Sequence, residues 1–406
     1  MSYGQRTFSS KITGKMRALC EQVFQLRRKS TSNQSIITMS FVVWIIIFVV
    51  LVTVASCSSA RMGNKLSRGK PVRMNANIEG EKEELPVVVT GARLKEIIQS
   101  EYVSERWSIF AREDMEDKIL LEDHCEGDRY YSRFVYKHSK VKLPGGRYLN
   151  ANYVLNKQYI ASQAPLYHTI SPFWDMIFAE NIHLIVMLTK VVEGSRTKAT
   201  RYWPTSNHPL QMFDDEEFGE EDKWRVELLE KTVFEDNILR RDLKITRTSN
   251  EEEKTVTQLQ YIGWPDHGCP SEIAEVLALL YGVQVLQKDP TVPIVVHCSA
   301  GIGRTGTFIT IRHVLQTVVK AFQAQENYQV LKELDSEEQA EIVIEFLEKQ
   351  TLDIDSVVRE LRKDRKMMIQ KEEQLLFCYE VFHYIIDTDP TDFIMEEFIL
   401  PIFFFV

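Results

Sequence analysis

The segment PIVVHCSAGIGRTG (residues 293–306) holds a cysteine and an arginine at the two ends of a run of small residues. The apolar, β-branched run before Cys298 predicts a buried strand, and the sequence after Gly306 predicts a helix. A loop between a strand and a helix start turns backbone N–H groups inward and adds the positive potential of the helix dipole. This stretch therefore predicts an anion-binding site, whose loop residues are Ser299, Ala300, Gly301, Ile302 and Gly303.

The side chains at the ends of that loop suit chemistry on a phosphate ester. The positive field that holds an anion also favours thiolate at Cys298, which makes it a nucleophile. Arg304 can hold two phosphoryl oxygens with its planar fork, which a lysine cannot do. Thr305 places a hydroxyl to donate to the sulfur when it becomes a leaving group. A merely structural cysteine after a strand would need neither the loop glycines nor Arg304.

Several segments around this motif have the periodicity of strands or helices. We expect strands at 153–161, 183–188, 255–261 and 293–297, and helices at 173–180, 273–286, 307–322 and 374–386. No internal repeat is present, which excludes a second copy of the same domain. The pattern predicts one mixed α/β (α+β) domain.

The loop motif HCSAGIGRTG resembles the signature of the phosphotyrosine-specific, cysteine-based protein tyrosine phosphatases. Other stretches resemble that family's motifs in the family's order: DRYY (128–131), YLNANY (148–153), YIASQAPL (159–166), VMLT (186–189), YWP (202–204), GWPDHG (263–268) and the glutamine-loop region with Arg362, Arg365 and 370–374. The resemblance implies a twisted mixed central sheet flanked by helices. We assign this single catalytic domain to residues 93–388.

The resemblance also implies a role for residues outside the cysteine loop. Asp266 resembles the general acid that protonates the leaving phenolate and then acts as general base for water, which predicts an acidic activity optimum. Gln370 would position that water, with Gln374 assisting. Tyr130 would stack on the substrate ring and set a pocket depth that selects phosphotyrosine over phosphoserine.

Four further residues are expected to support the site through this resemblance. Glu193 resembles the acid that pairs with the loop arginine, and Lys198 resembles a lysine that contacts the general-acid loop. Trp264 belongs to that same loop. His297 is expected to help hold Cys298 as thiolate, although a histidine at a strand end is equally compatible with a packed core residue.

Some positions depart from the family's pattern. Ser132 stands where relatives usually carry an aspartate that contacts the substrate backbone, which predicts weaker peptide binding or a changed sequence preference. Lys371 replaces a small hydroxyl residue beside Gln370, which puts the efficiency of the second step in doubt. Met367 occupies a position where some relatives have glycine, and Ala164 replaces the commoner glycine.

The run of residues 36–56 predicts a single membrane-spanning helix, since 36–55 contain no charge and are long enough to cross a bilayer. Residues 1–35 form a short polar and basic segment, and 57–92 a polar juxtamembrane linker. Basic residues are slightly more numerous before the span, which favours a cytoplasmic N-terminus. A catalytic thiol favours the opposite topology, with the domain in the reducing cytoplasm, and we expect the latter.

Three other segments stand out by composition. Residues 214–222 carry only acidic charge and are expected to form a solvated loop. Residues 320–350 predict a helical insertion, either packed on the domain or free to dock a partner. The apolar tail, residues 389–406, is too short to span a membrane and is expected either to dock on the domain or to touch the membrane.

Composition excludes several other classes. The net charge is −9 and no basic face stands out in the domain, so nucleic acid is not expected as a partner. Six scattered cysteines without CxxC pairs argue against a metal or disulfide framework, and we expect no cofactor. The expected partners are phosphotyrosine-containing proteins. Two alternatives remain: a catalytically silent phosphotyrosine-binding membrane scaffold, and a dual-specificity or lipid phosphatase, although lipid enzymes often carry loop lysines.

Overall fold

An eight-stranded mixed sheet forms the centre of the domain. The computed structural model describes residues 89–116, 119, 121–131, 134–213, 224–265 and 268–404. Its strands are β1 (Ala151–Val154), β2 (Tyr159–Ser162), β3 (Leu184–Met187), β4 (Val192–Glu193), β5 (Arg196–Thr197), β6 (Leu210–Phe213), β7 (Trp224–Glu235), β8 (Ile238–Arg247), β9 (Glu253–Tyr261) and β10 (Ile294–His297). The large sheet has the order β1-β2-β10-β3-β9-β8-β7-β6, and β4 pairs with β5 alone.

The middle of the large sheet is parallel and buried. β10 lies between β2 and β3 and runs parallel to both, and β3 runs parallel to β9. All four residues of β10 are buried. Strands covered on both faces read as continuous apolar runs, which is the pattern that predicted 293–297. This strand delivers Cys298 to the carboxyl edge of the sheet.

Helices cover the sheet on both sides. They are α1 (Leu94–Gln99), α2 (Tyr102–Glu116), α3 (Ile170–Ala179), α4 (Ile273–Leu286), α5 (Gly303–Gln323), α6 (Tyr328–Leu331), α7 (Ser336–Lys349), α8 (Ile354–Asp364), α9 (Glu372–Asp387) and α10 (Leu400–Phe404). The predicted mixed sheet flanked by helices is confirmed. α4 has the predicted bounds, and α3, α5 and α9 each extend the predicted helix by a few residues at its start.

One strand prediction was wrong, and one hairpin was missed. Residues 153–161, expected as one strand, belong to the hairpin of β1 and β2, because Leu155, Asn156 and Lys157 take positive φ values and reverse the chain. The longest hairpin of the sheet, β7 with β8, was not predicted at all. Its strands have many partly exposed charged residues, which weaken the apolar signal.

The insertion and the tail both pack on the domain. Within 320–350, α7 buries Ala340, Val343 and Leu347, so the packed alternative is the one observed. The tail continues from α9 into a π-helical turn and α10, where Phe403 and Phe404 are buried. Phe322 of α5 lies edge-on to both rings, with centroids 5.4 Å away. Of the two expectations for the tail, docking on the domain is the one the structure shows.

Several predictions fall outside the described residues. They are the span 36–56 with its flanks up to residue 88, the acidic block 214–222, and the individual residues Ser132 and Asp266. In the part of the chain that the structure describes, no helix combines the length and the apolar character that crossing a bilayer needs.

Candidate active site

The loop from Cys298 to Gly303 forms a backbone cradle at the start of α5. Gly301 has φ +68°, and a Cβ there would overlap the carbonyl oxygen of Ser162, so only glycine fits. Within the described residues, no group accepts a hydrogen bond from the backbone N–H of the loop residues Ser299, Ala300, Gly301 and Ile302. These N–H groups lie at the start of a 21-residue helix and are available as donors for an anion.

Arg365 holds this cradle from below, a role that sequence reasoning did not assign to it. Its side chain is fully buried and donates to the carbonyls of Ala300 and Gly301 at 2.9 and 2.8 Å. The same guanidinium donates to the side-chain oxygens of Asn150 and Asn152 at 2.6 and 2.7 Å. Burial lowers the pKa of Arg365 to about 10, so it still carries its charge at neutral pH. The loop therefore sits on a fixed positive charge.

Arg304 is held in place by two flanking segments. Its two terminal nitrogens donate to Glu193 in a bidentate pair, at 2.6 and 2.8 Å. Further bonds reach the carbonyl oxygens of Leu188 at 3.1 Å and Pro265 at 2.9 Å. The expected pairing of Glu193 with Arg304 is thus present in the geometry. A bidentate pair fixes the plane of the guanidinium as well as its position.

Tyr130 stands at the rim of the cradle. Its hydroxyl donates to Ser299 Oγ at 2.7 Å, and Ser299 in turn donates to the backbone carbonyl of Lys198 at 2.7 Å. Arg129 anchors the preceding backbone by donating to the carbonyls of Ala164 and Pro165. The tyrosine ring is 38% exposed, which leaves a face open beside the loop. The backbone of Lys198 is thereby part of the site.

His297 lies beneath the nucleophile rather than facing solvent. It is fully buried, and burial lowers its pKa to about 4, so the ring is neutral near pH 7. Its Nδ1 lies 3.1 Å from the carbonyl oxygen of Cys298, and its Nε2 lies 2.7 Å from the hydroxyl of Tyr202. The packed core position considered from the sequence is the one observed, and the ring bonds the backbone of Cys298 instead of its sulfur.

The remaining predicted residues cluster around the start of α5. Thr305 is fully buried, and its hydroxyl has no hydrogen-bond partner among the described residues. Gln374 places both its amide atoms 3.0 Å from where a Cβ of Gly303 would lie, and Gln370 lies 3.4 Å from the same point. The backbone N–H of Gln370 donates to Gln374 Oε1 at 2.9 Å. Both glutamines therefore stand beside the loop.

The segment that carries Asp266 is described only on its two sides. Trp264 is buried, and its indole N–H donates across the segment to the carbonyl of Gly268 at 3.2 Å. Pro265, the residue before Asp266, accepts from Arg304 at 2.9 Å. Asp266 itself lies outside the described residues, so its role as general acid stays a prediction.

These features together define a class of protein. A buried thiol ends the central parallel strand, a cradle of N–H donors follows, and a rigid arginine closes it. Such a site holds a tetrahedral oxyanion with its central atom in line with the sulfur. The arrangement belongs to proteins that bind or transfer a phosphoryl group on cysteine.

Comparison with known proteins gives the family. The protein-tyrosine phosphatase family model matches residues 124–384. Receptor-type tyrosine-protein phosphatase F of Danio rerio is 32% identical over 270 residues, covering 64% of this chain and 12% of the relative. Tyrosine-protein phosphatase 2 of Dictyostelium discoideum is 32% identical over 232 residues, covering 57% of this chain and 53% of the relative.

A solved structure supports the same assignment. The catalytic domain of human protein tyrosine phosphatase non-receptor type 18 matches 73% of this chain and 99% of its own length, with 26% identity and a TM-score of 0.58. The chain belongs to the protein-tyrosine phosphatase family. It spans about half or less of the length of these curated relatives, 53% in one case and 12% in the other.

Proposed function

We propose that the protein hydrolyses phosphotyrosine in proteins through a phosphocysteine intermediate. The observation that carries this proposal is the placement of Cys298 and of an Arg304 that Glu193 holds rigid on either side of backbone N–H groups for which the described residues offer no acceptor. In the first step the sulfur of Cys298 attacks phosphorus and the tyrosine oxygen leaves with a proton from Asp266. Arg304 and the loop N–H groups hold the equatorial oxygens.

The second step hydrolyses the phosphocysteine and regenerates the free thiol of Cys298. Water positioned by Gln370, with Gln374 beside it, attacks phosphorus while Asp266 accepts its proton, and inorganic phosphate leaves. The unpartnered Thr305 hydroxyl is assigned to the sulfur as it becomes a leaving group. The role rests on its position directly after Arg304, where its side chain is fully buried beside the loop.

Tyr130 and the rim of the site support selectivity for tyrosine. The ring beside Ser299 makes a wall above the cradle, so only a long aryl phosphate reaches Arg304 at its base. We therefore propose phosphotyrosine-containing proteins as partners. The backbone carbonyl of Lys198 accepts from Ser299, and resemblance assigns the Lys198 side chain a contact with the general-acid loop. Selectivity is measured by comparing phosphotyrosine and phosphoserine versions of one peptide, and equal rates would contradict it.

Hydrolysis by the full chain tests the proposal. Wild type is compared with Cys298→Ser and Asp266→Ala on a phosphotyrosine peptide at about pH 6. We expect Cys298→Ser to lose at least about 10⁴-fold in turnover and Asp266→Ala about 10²- to 10⁴-fold. Folded wild-type protein that binds the peptide without turning it over would instead indicate the silent binding module.

We also propose that residues 36–56 anchor the domain, residues 93–388, to a membrane on its cytoplasmic side. The uncharged run is long enough for one crossing, and several relatives that match the domain are named receptor-type tyrosine-protein phosphatases. Extraction of cell membranes with alkaline carbonate should leave the protein in the pellet. Release of the protein into the soluble fraction would contradict the anchor. A protease added to sealed vesicles then shows on which side of the membrane the domain lies.

A further inference from the structure

Arg241 of β8 is a buried cation with unusual partners. It is 6% exposed, and one nitrogen, Nη1, donates to Gln258 Oε1 at 2.8 Å and to Gln260 Oε1 at 2.9 Å. Its guanidinium lies 4.8 Å from the ring centre of Trp203, and no carboxylate among the described residues pairs with it. Burial lowers the pKa of Arg241 to about 10, which still leaves it charged at neutral pH. Burying a charge among neutral groups costs free energy of folding, so the position of Arg241 suggests a functional role.

One chain of hydrogen bonds runs from this cation to the backbone carbonyl of Cys298. Gln258 Nε2 donates to the hydroxyl of Tyr202 at 2.7 Å. That hydroxyl is 2.7 Å from His297 Nε2, and His297 Nδ1 is 3.1 Å from the carbonyl oxygen of Cys298. The three side chains between the ends of this chain, those of Gln258, Tyr202 and His297, are fully buried.

A second chain runs from the same nitrogen to the other end of the cradle. Gln260 Nε2 donates to the backbone carbonyl of Thr189 at 2.9 Å. The hydroxyl of Thr189 donates to Glu193 Oε1 at 2.8 Å, and Glu193 holds Arg304. Arg241 is thus the common origin of two chains that end at Cys298 and Arg304.

The direction of both chains follows from the chemistry of the guanidinium. Because arginine only donates, both glutamine amides must turn their oxygens toward Arg241 and their NH₂ groups away from it. The NH₂ group of Gln258 then donates to the Tyr202 oxygen, and the Tyr202 proton bonds His297 Nε2 at 2.7 Å rather than the weaker and more distant acceptor Met187 Sδ at 3.9 Å. His297 then carries its own proton on Nδ1, which the Cys298 carbonyl, an acceptor only, also favours.

We propose that Arg241 is a positioning residue for the phosphatase site, which fixes the proton arrangement beneath Cys298 and the anchoring of Glu193 by setting the direction of both glutamine amides. The inference rests on the proposed function for its kinetic consequence. Its structural consequence, the Nδ1–H form of His297, is independent of turnover. Without Arg241 the Gln258 amide is free to reverse, and a reversed amide presents an oxygen that competes for the Tyr202 proton.

The test uses the full chain with histidine labelled by ¹⁵N, and a His297→Gln variant assigns the His297 signals. In Arg241→Gln we expect a mixture of the two neutral forms of His297. We also expect kcat to fall by about 10- to 100-fold with little change in KM, as for a displaced catalytic group. Arg241→Lys keeps a cation that only donates, so it should retain the Nδ1–H form.

The neighbouring Arg240 provides the matched control. It pairs with Asp242 at 2.7 Å, so Arg240→Gln removes the same charge without touching either chain, and should leave His297 and kcat unchanged. The proposal would be overturned if kcat fell equally in Arg240→Gln and Arg241→Gln. It would also be overturned if His297 kept the Nδ1–H form in Arg241→Gln. If Arg241→Gln does not fold, Gln258→Met interrupts the first chain alone. That variant must show the same change at His297, and an unchanged ring overturns the proposal.

The two proposals fail in different ways. If wild type has no turnover but the proton position on His297 still depends on Arg241, the phosphatase function is wrong and the positioning role of Arg241 stands. If wild type is active but the proton position on His297 does not depend on Arg241, the function stands and the positioning role is wrong.

Discussion

Glu193 determines how Arg304 meets a phosphoryl group, because it fixes the guanidinium through two short bonds. Glu193→Gln removes the charge and turns one acceptor into a donor, so Arg304 loses one bond and its fixed plane. We expect kcat/KM for a phosphotyrosine peptide to fall by about 10- to 100-fold. Glu251→Gln is the control, since it breaks a more exposed pair with Arg225 and should leave the activity unchanged. Equal effects would contradict this view.

His297 makes the stability of the domain depend on pH. Burial lowers its pKa from 6.5 to about 4, so between these values the unfolded chain binds a proton that the folded protein excludes. The contribution is complete above about pH 6.5 and is lost as pH falls toward 4, by roughly 3 kcal/mol in all. Denaturant titrations near pH 7 and pH 4.5 should show a larger loss for wild type than for His297→Gln. Parallel losses would contradict the assignment.

For individual residues, the sequence predicted a role most directly where the residues lie close together in one motif. Cys298 and Arg304 lie six positions apart in one motif, and Tyr130 and Glu193 followed from family resemblance. The contacts of Arg365 and Arg241 join segments that are far apart in sequence. Resemblance placed Arg365 in the glutamine-loop region without indicating its contact with the cradle, and nothing in the local pattern of Arg241 indicates a catalytic neighbour. Such roles become visible only when strands and helices are assembled.

At the scale of elements, the cradle depends on close packing between its loop and β2. Gly301→Ala adds both the strain of a positive φ and an overlap with the Ser162 carbonyl. Gly145→Ala has the same kind of φ, +73°, but nothing within 4 Å of its new Cβ, so it isolates the strain. We expect Gly145→Ala to cost about 1 kcal/mol of unfolding free energy and Gly301→Ala at least about 2 kcal/mol more, with loss of activity. Similar costs in denaturant titrations would argue against the close approach.

Buried elements were more predictable than exposed ones. α4 and β10 are apolar over most of their length, and both were found with their bounds correct or nearly so. The turn between β1 and β2 has Leu155, Asn156 and Lys157 in place of the usual glycine, so no turn signal separated the two strands. The sequence did not predict β7 and β8. Each of these strands is stabilised largely by hydrogen bonds to its hairpin partner, whereas the predicted strands are stabilised by burial, which leaves an apolar pattern in the sequence.

At the scale of the whole molecule, the tail is part of the folded domain. Phe403 is fully buried against Phe322, and its carbonyl accepts from Gln323 and from Tyr328. Phe403→Ala should cost about 3–5 kcal/mol of unfolding free energy. Phe393→Ala makes the same change at a ring that is 65% exposed and should cost less than about 1 kcal/mol. Equal melting temperatures for the two variants would mean that the tail does not contribute to the fold.

The tail also shows a limit of sequence reasoning for the whole chain. Its apolar run was compatible with either a membrane surface or a protein groove, since both bury the same residues. The deciding feature is the complementary surface of α5, α6 and α7, which lies elsewhere in the chain.

The most direct test of the account is to trap the covalent intermediate. Full-length Gln370→Ala is mixed with a phosphotyrosine peptide, quenched in acid within milliseconds, and examined by mass spectrometry. Because the second step is slowed, we expect one phosphoryl group on the peptide that contains Cys298, and none in the double variant Gln370→Ala, Cys298→Ser. Release of phosphate without any phosphoryl group on Cys298 would contradict the account.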